Sequence, residues 1–247
     1  MTRPNVILIT IFAMALSACQ SAVPTQQGQA SNVAPSAQPP VVQASGDLCA
    51  NPFWPVVEGA NWTSNLHTDQ GDMTQVDTIT DVGSDAFLVD TTQGQSTNYI
   101  ITWTCTPEGL LWLQTDGGQF AAVFPDAQWA TNSYSGVSIP KQIQPGDSWA
   151  SSESLTATSS QGSFDFNVNI DFHAMGVESV TVPAGTFNAM RVDLVMVFSG
   201  QVSGQDFETT YNISDWVAEG VGLVRSVATS DVGGADYSLE LASYSIP

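Results

Sequence analysis

Few side chains in this sequence can act on a proton at neutral pH. His67 and His173 are its two histidines, and histidine is the side chain that ordinarily changes charge between pH 5 and 8. The sequence has no His-Glu-x-x-His, no Gly-x-Ser-x-Gly elbow, no phosphate-binding glycine loop and no dinucleotide glycine fingerprint. His173 falls on the polar side of an alternating run, where solvent is its expected neighbour. A Ser–His–Asp triad assembles in space and leaves no spacing to read, and nothing selects one serine from so many. No catalytic residue and no cofactor is therefore assigned.

The same run offers a row of oxygens, Asp165, Asn167, Asn169 and Asp171. Alternate strand residues stand about 7 Å apart, too far for all four to hold one ion. Calcium would need further oxygens from a loop or neighbouring strand. Asp165 and Asp171 are the candidate metal ligands, but a solvated strand face is the favoured reading and no metal is assigned.

The three cysteines divide by position. Arg3 opens a short positive segment, Val6 to Leu16 is an apolar run too short to span a membrane, and Leu16-Ser17-Ala18-Cys19 follows. Small residues beside the cut let a peptidase bind the chain extended, and Cys19 is the acyl acceptor of such a lipobox. Residues 1–18 are thus expected to be a lipoprotein signal peptide, with several fatty acyl chains of the palmitate type holding Cys19 on a bacterial membrane. Cys49 and Cys105 remain. Outside the cytoplasm an even pair reads as a disulfide, worth about 4 kcal/mol in the chain-entropy description.

Residues 19–47 are rich in Gln, Ser, Ala and Pro, with no charge before Asp47, and cannot bury a core. They read as a disordered tether whose ends lie on the order of 30 Å apart. After cleavage the chain keeps Lys141, Arg191 and Arg225 against 24 acids, a formal charge of −21. Nucleic acid and bare anionic headgroups are poor partners for such a surface.

Residues 48–247 are long enough for one sizeable β domain or two small ones. Phe164, Phe166, Val168, Ile170 and Phe172 alternate with polar residues, as do Tyr99, Ile101, Trp103 and Cys105. Strands are expected over 61–68, 74–82, 85–92, 97–105, 109–115 and 118–124. Seven more are expected over 148–158, 163–173, 176–182, 186–200, 205–216, 222–230 and 236–246. No stretch of ten residues shows helical periodicity. Gly59-Ala60-Asn61-Trp62 is echoed by Gly146-Asp147-Ser148-Trp149, and Trp103 with Glu108-Gly109 by Trp216 with Glu219-Gly220. These echoes suggest duplicated halves, 48–124 and 141–247, joined by a linker-like 125–146.

The longest apolar stretch, Ala174 to Phe198, is broken by Pro183-Ala184-Gly185. Pro183 suits the second position of a type I turn and Gly185 a position of positive φ, giving a hairpin with a three-residue bulged loop. Met190, Val192, Leu194, Met196 and Phe198 share one face of the return strand, and Val177, Val180 and Val182 lie on the outgoing one. Gly146–Trp149, Glu178–Phe187 (with Val-Pro-Ala-Gly-Thr-Phe) and Trp216–Gly222 together resemble a family of extracytoplasmic bacterial lipoproteins of unknown function. The resemblance covers roughly residues 140–230 and implies kinship with the curved half-barrels of lipoprotein carriers. It brings a fold and no site, because the carriers' functional residues are not matched.

The expected fold is all-β, with antiparallel curved sheets forming a half-barrel or sandwich. The expected function is a non-enzymatic binding or structural role in the cell envelope, with an envelope protein or an apolar ligand as partner. A carrier of lipid in a concave sheet is the alternative, and a hydrolase the third. The sequence says nothing of oligomeric state or of which membrane is used. Mass spectrometry of the mature N-terminus is expected to find an acylated Cys19, and globomycin to block its processing; an unmodified Cys19 in the native host would remove the anchor.

Overall fold

The computed structural model describes residues 48–94, 97–113, 126–160, 162–202, 205–232 and 236–247. The expected signal peptide with Cys19, the tether 19–47 and the expected strand 118–124 lie outside the described residues. Among the described residues every regular element is a strand. The first group is β1 (Asn61–Thr68), β2 (Gly71–Val82), β3 (Ala86–Gln93), β4 (Thr97–Cys105) and β5 (Gly109–Leu113). Two edge pieces follow, β6 (Gln128–Gly136) and β7 (Ile139–Pro140). The second group is β8 (Ser148–Ser159), β9 (Gly162–Val182), β10 (Gly185–Val202), β11 (Gln205–Ala218), β12 (Gly222–Ser230) and β13 (Tyr237–Ser245). They form one antiparallel sheet in the order β6-β8-β9-β10-β11-β12-β13-β1-β2-β3-β4-β5-β7, not closed into a barrel.

The alternation in β9 is carried through as burial. Phe164, Phe166, Val168, Ile170, Phe172 and Ala174 are buried, and the residues between them are exposed. The expected break between 173 and 176 is absent, since β9 runs on to Val182. Its register slips there: Val192 faces Ala174 while Arg191 faces Gly176, so Met175 is bulged out. Gly176 takes φ +155°. The glycine that read as a break is a bulge inside a continuous strand. Val177, expected among the apolar positions, follows the bulge and is 62% exposed.

At the tip Val182 faces Gly185, which leaves Pro183 and Ala184 as the loop, one residue shorter than expected. Gly185 has φ +141°. The tip reaches across the sheet, where Ala184 N–H donates to Leu241 O at 3.0 Å.

Two apolar clusters form the core. One gathers Trp62, Ile79, Phe87, Val89, Trp103 and Leu110 with Val180, Val182, Phe187, Ala189 and Leu241. The other gathers Leu155, the apolar side of β9, Met190 to Phe198, Val217 and Phe53. Each cluster thus takes side chains from both sides of residues 125–146. Ala189 and Met190 are consecutive and both buried, one in each cluster. Consecutive strand residues point to opposite faces, so β10 is covered on both faces at this point. Val217 and Ala218 repeat the arrangement on β11.

The two Gly-x-x-Trp turns share one hydrogen-bond circuit. Gly59 N–H donates to Ile79 O (2.8 Å), Ile79 N–H to Ala60 O (2.9 Å) and Ala60 N–H to Val57 O (3.0 Å). Gly146 N–H donates to Ala174 O (2.8 Å), Ala174 N–H to Asp147 O (2.9 Å) and Asp147 N–H to Gln144 O (3.0 Å). Both glycines need positive φ, +83° and +93°. Ile79 and Ala174 are each followed by a bulge.

Residues 125–146, expected as a linker, instead hold both edges of the sheet. β6 pairs with β8, and after two residues β7 pairs with β5. β6 has only Trp129 and Thr131 half-buried and its other residues exposed, too little apolar alternation for periodicity to detect.

Phe166 stacks with Phe198 (5.5 Å) and Trp129 (5.5 Å) and meets Phe207 at 6.0 Å. Phe166→Ala is expected to cost roughly 3–5 kcal/mol, read as a lower midpoint in urea unfolding at unchanged slope.

Candidate functional site

Alternation that turns the apolar residues of β8–β12 inward turns a polar row outward. Ser148 faces His173, His173 faces Asp193, Asp193 faces Ser214 and Ser214 faces Val227 across neighbouring strands. A parallel row runs Asp171, Val195, Asn212, Thr229. Between them lies an open trough of about 590 Å³. The order is enforced by backbone pairing, so the side chains meet although they are spread from 148 to 229.

Ser148 Oγ is 2.8 Å from His173 Nδ1. Asp193 takes two bonds from Arg191, Nε to Oδ1 at 2.8 Å and one Nη to Oδ2 at 3.0 Å. Ser214 Oγ donates to the same Oδ1 at 2.7 Å. Partial burial pushes the Asp193 carboxyl up, but the bonds from Arg191 and Ser214 and the charges of Arg191 and His173 outweigh it and hold it below the ordinary value. Among the described residues, Asp171, Asn212 and Thr229 have no side-chain hydrogen-bond partner. These three groups are available to a ligand, with Val195 between them.

One end of the polar face is fixed by an indole between two guanidiniums. Arg191 Cζ lies 5.6 Å and Arg225 Cζ 5.1 Å from the Trp216 ring. Trp216 Nε1 donates to Glu178 Oε2 at 2.9 Å, and Glu178 is 3.8 Å from Arg191. Glu240 is 3.8 Å from Arg225. Cation–π contacts of this type contribute about 0.5–1 kcal/mol each where exposed. Two of the three cations left after Arg3 therefore serve one tryptophan.

The inner face carries acids too. Asp215 Oδ1 is shielded from solvent without a hydrogen-bond partner among the described residues. Burial, with a smaller push from Asp193, raises its carboxyl to about 6 against the bond from Ser226. Burial, then the charge of Asp215, raises Tyr237 to about 12. Asp77 is raised by burial, although Thr91 Oγ1 donates to it at 2.6 Å and Gln75 Nε2 at 2.9 Å. Tyr99 is raised by burial and then by Asp77 and Tyr237. Ala184, at the β9–β10 tip, bonds Leu241 of β13 at 3.0 Å although β11 and β12 lie between β10 and β13 in the sheet. A flat sheet would hold β10 and β13 about three strand spacings, near 14 Å, apart, so the sheet is curved.

The remaining residues singled out in the sequence fall as follows. Cys49 and Cys105 are bonded to each other and buried. Pro183 and Gly185 make the hairpin tip. Asp165 accepts from Thr156 Oγ1 at 2.7 Å, while Asp171 lines the trough. Among the described residues no three His, Cys, Asp or Glu side chains gather as a metal site. His67 sits at an exposed turn, 2.8 Å from Asp72. Two of the family-like motifs meet in space where Glu178 bonds Trp216, and Trp62 Nε1, from outside them, donates to Val221 O at 2.6 Å. Sequence reasoning passed over Asp193, Ser214 and Asn212. The scarcity of cations was the one available signal, since Arg191 marks the row.

Residues 131–234 match the DUF3108-like family model. The match spans β6 to β12 and includes the whole trough apart from its setting in the larger sheet. No curated protein matches the chain. The fold is similar to two crystal structures. One is a "putative exported protein with YmcC-like fold" from Bacteroides fragilis, 16% identical, with a TM-score of 0.50 over 80% of this chain and 100% of that one. The other is a "putative lipoprotein" from Parabacteroides distasonis, 17% identical, with a TM-score of 0.52 over 80% of this chain and 99% of that one.

The raised Asp215 sets a pH dependence. Its folded value of about 6 lies above the ordinary 3.8, so the folded chain binds the extra proton between them. Stability from this group is full below the lower value and is lost as pH rises through the higher. Asp215→Asn is expected to remove that decline, leaving the variant more stable than the parent at pH 7 in urea titrations run from pH 4 to 7.

Proposed function

We propose that this chain is an extracytoplasmic lipoprotein, acylated at Cys19, that binds a partner in the trough over β8–β12 and does no catalysis. The observation that carries this reading is the contrast between the two faces. Side chains of the two clusters fill the interior, whereas the trough offers the unengaged Asp171, Asn212 and Thr229 around Val195. The lipobox and the likeness to an exported protein and a lipoprotein support the address. A lipid carrier needs an apolar cavity of several hundred Å³, lined and unfilled; the trough is open, with Asp171, His173, Asp193 and Asn212 among its lining residues. The hydrolase reading rests on Ser148 and His173. There the serine meets Nδ1, and the hydrogen bonds of Asp193 go to Arg191 and Ser214. A triad places the imidazole between serine and carboxylate through its two nitrogens.

A photo-reactive side chain at Val195 in the membrane-borne protein tests the reading. An adduct is expected there, absent from the same probe at Gln201 and several-fold weaker with Asp171→Ala. Equal labelling at both positions would contradict the site. Ser148-dependent reaction with a fluorophosphonate would contradict the absence of catalysis, and lipid retained in native mass spectra would favour the carrier.

A further inference from the structure

The acids in and around the trough are unequally compensated. Asp193 and Glu178 share Arg191, and Glu240 lies 3.8 Å from Arg225. Asp171 lies inside the trough, whose lining contains neither lysine nor arginine. The imidazole in that lining, His173, is 2.8 Å from Ser148 Oγ and pairs across to Asp193. A carboxylate only accepts hydrogen bonds, and a charged donor forms the stronger one. Asp171 therefore favours a cationic group from outside the trough.

The residues beside it set the reach of that group. Val195 faces Asp171 on one side and Asn212 on the other, and Asn212 faces Thr229. Asp171 and Asn212 thus stand two strand spacings, near 10 Å, apart, with Val195 40% exposed between them. One small cation cannot touch both. A lysine or arginine side chain spans the row. Its charged head reaches Asp171, its methylene stem lies along Val195, and the peptide group at its root meets Asn212, which donates and accepts. The formal −21 of the mature chain draws a basic segment towards this face and speeds its approach.

We infer that the trough takes the long basic side chain of a partner polypeptide, with its head on Asp171 and its stem across Val195. This rests on the trough being the binding site proposed above, and it names the chemistry of the partner. Asp171 selects the charge, and Val195 selects the stem. The occupant is a polypeptide and not a free amine, because Asn212 and Thr229 offer their amide and hydroxyl at the end of the row away from Asp171.

Saturation-transfer NMR on the full chain in detergent micelles, with Ac-Ala-Lys-Ala-amide as the probe, tests this. The norleucine analogue carries the stem without the charge, and the diaminopropionate analogue carries the charge without the stem. Each is expected to bind about tenfold more weakly than the lysine peptide. Asp171→Asn should weaken the lysine peptide about tenfold and leave the norleucine peptide unchanged. Asp165→Asn, on the same face of β9, should change neither. Binding of the lysine peptide should weaken several-fold between about 50 and 500 mM salt. Circular dichroism and an intact Cys49–Cys105 bond check that each variant is folded. Lysine and norleucine peptides binding alike, Asp165→Asn matching Asp171→Asn, cadaverine matching the lysine peptide, or no binding of the lysine peptide would each overturn the proposal. A photo-adduct at Val195 alongside any of these results would keep the trough as the binding site and remove only the basic side chain. Without that adduct the trough itself fails.

Discussion

The β9–β10 hairpin is covered on both faces where β10 passes from one apolar cluster to the other at Ala189 and Met190, and the rest of the molecule is arranged around that fact. Most strands of a curved sheet bury one face and wet the other. Here Ala189 and Met190 are neighbours in sequence and belong to different clusters. The hairpin body packs with β8 and β11, and the tip carries Val180, Val182 and Phe187 into the cluster under β1–β4. A short, stiff turn of Pro183 and Ala184 is what lets the tip sit against Leu241. The small residues at the crossing, Ala189 and Ala218, have no exposed surface, and larger side chains there would separate the clusters.

That arrangement leaves the outer face to polar chemistry. With so few cations, acids on this face must be held by hydroxyls or by the same guanidinium. Asp193 shows both, taking Arg191 and Ser214 together. Arg191 also touches Glu178 and the Trp216 ring, so one side chain orders the row from β9 to β11. Trp216 thereby has two guanidiniums against its ring and its N–H on Glu178.

Some of this was legible in the sequence and some was not, for physical reasons. The flawless alternation from Phe164 to Phe172 announced a half-buried strand, and its burial follows that pattern residue by residue. The paired Cys49 and Cys105 could be read from compartment and parity, and they are joined. The Gly-x-x-Trp echoes pointed to turns that prove to share one backbone circuit. Met175 was unreadable as a bulge, because one extra residue changes register without changing composition. β6 was unreadable because one of its faces is only half-buried, at Trp129 and Thr131, and the other is exposed. The row Ser148, His173, Asp193, Ser214 is set by register between strands far apart in the chain, and no local window contains it.

The central claim is that one hairpin serves both clusters and makes the described strands a single cooperative unit. Hydrogen exchange followed through increasing denaturant measures this directly. The account predicts that the slowest amides of β1–β4 and those of β9–β11 open with the same free energy and the same denaturant slope, equal to global unfolding. Exchange of β1–β4 at a denaturant concentration where β9–β11 stay protected would contradict it.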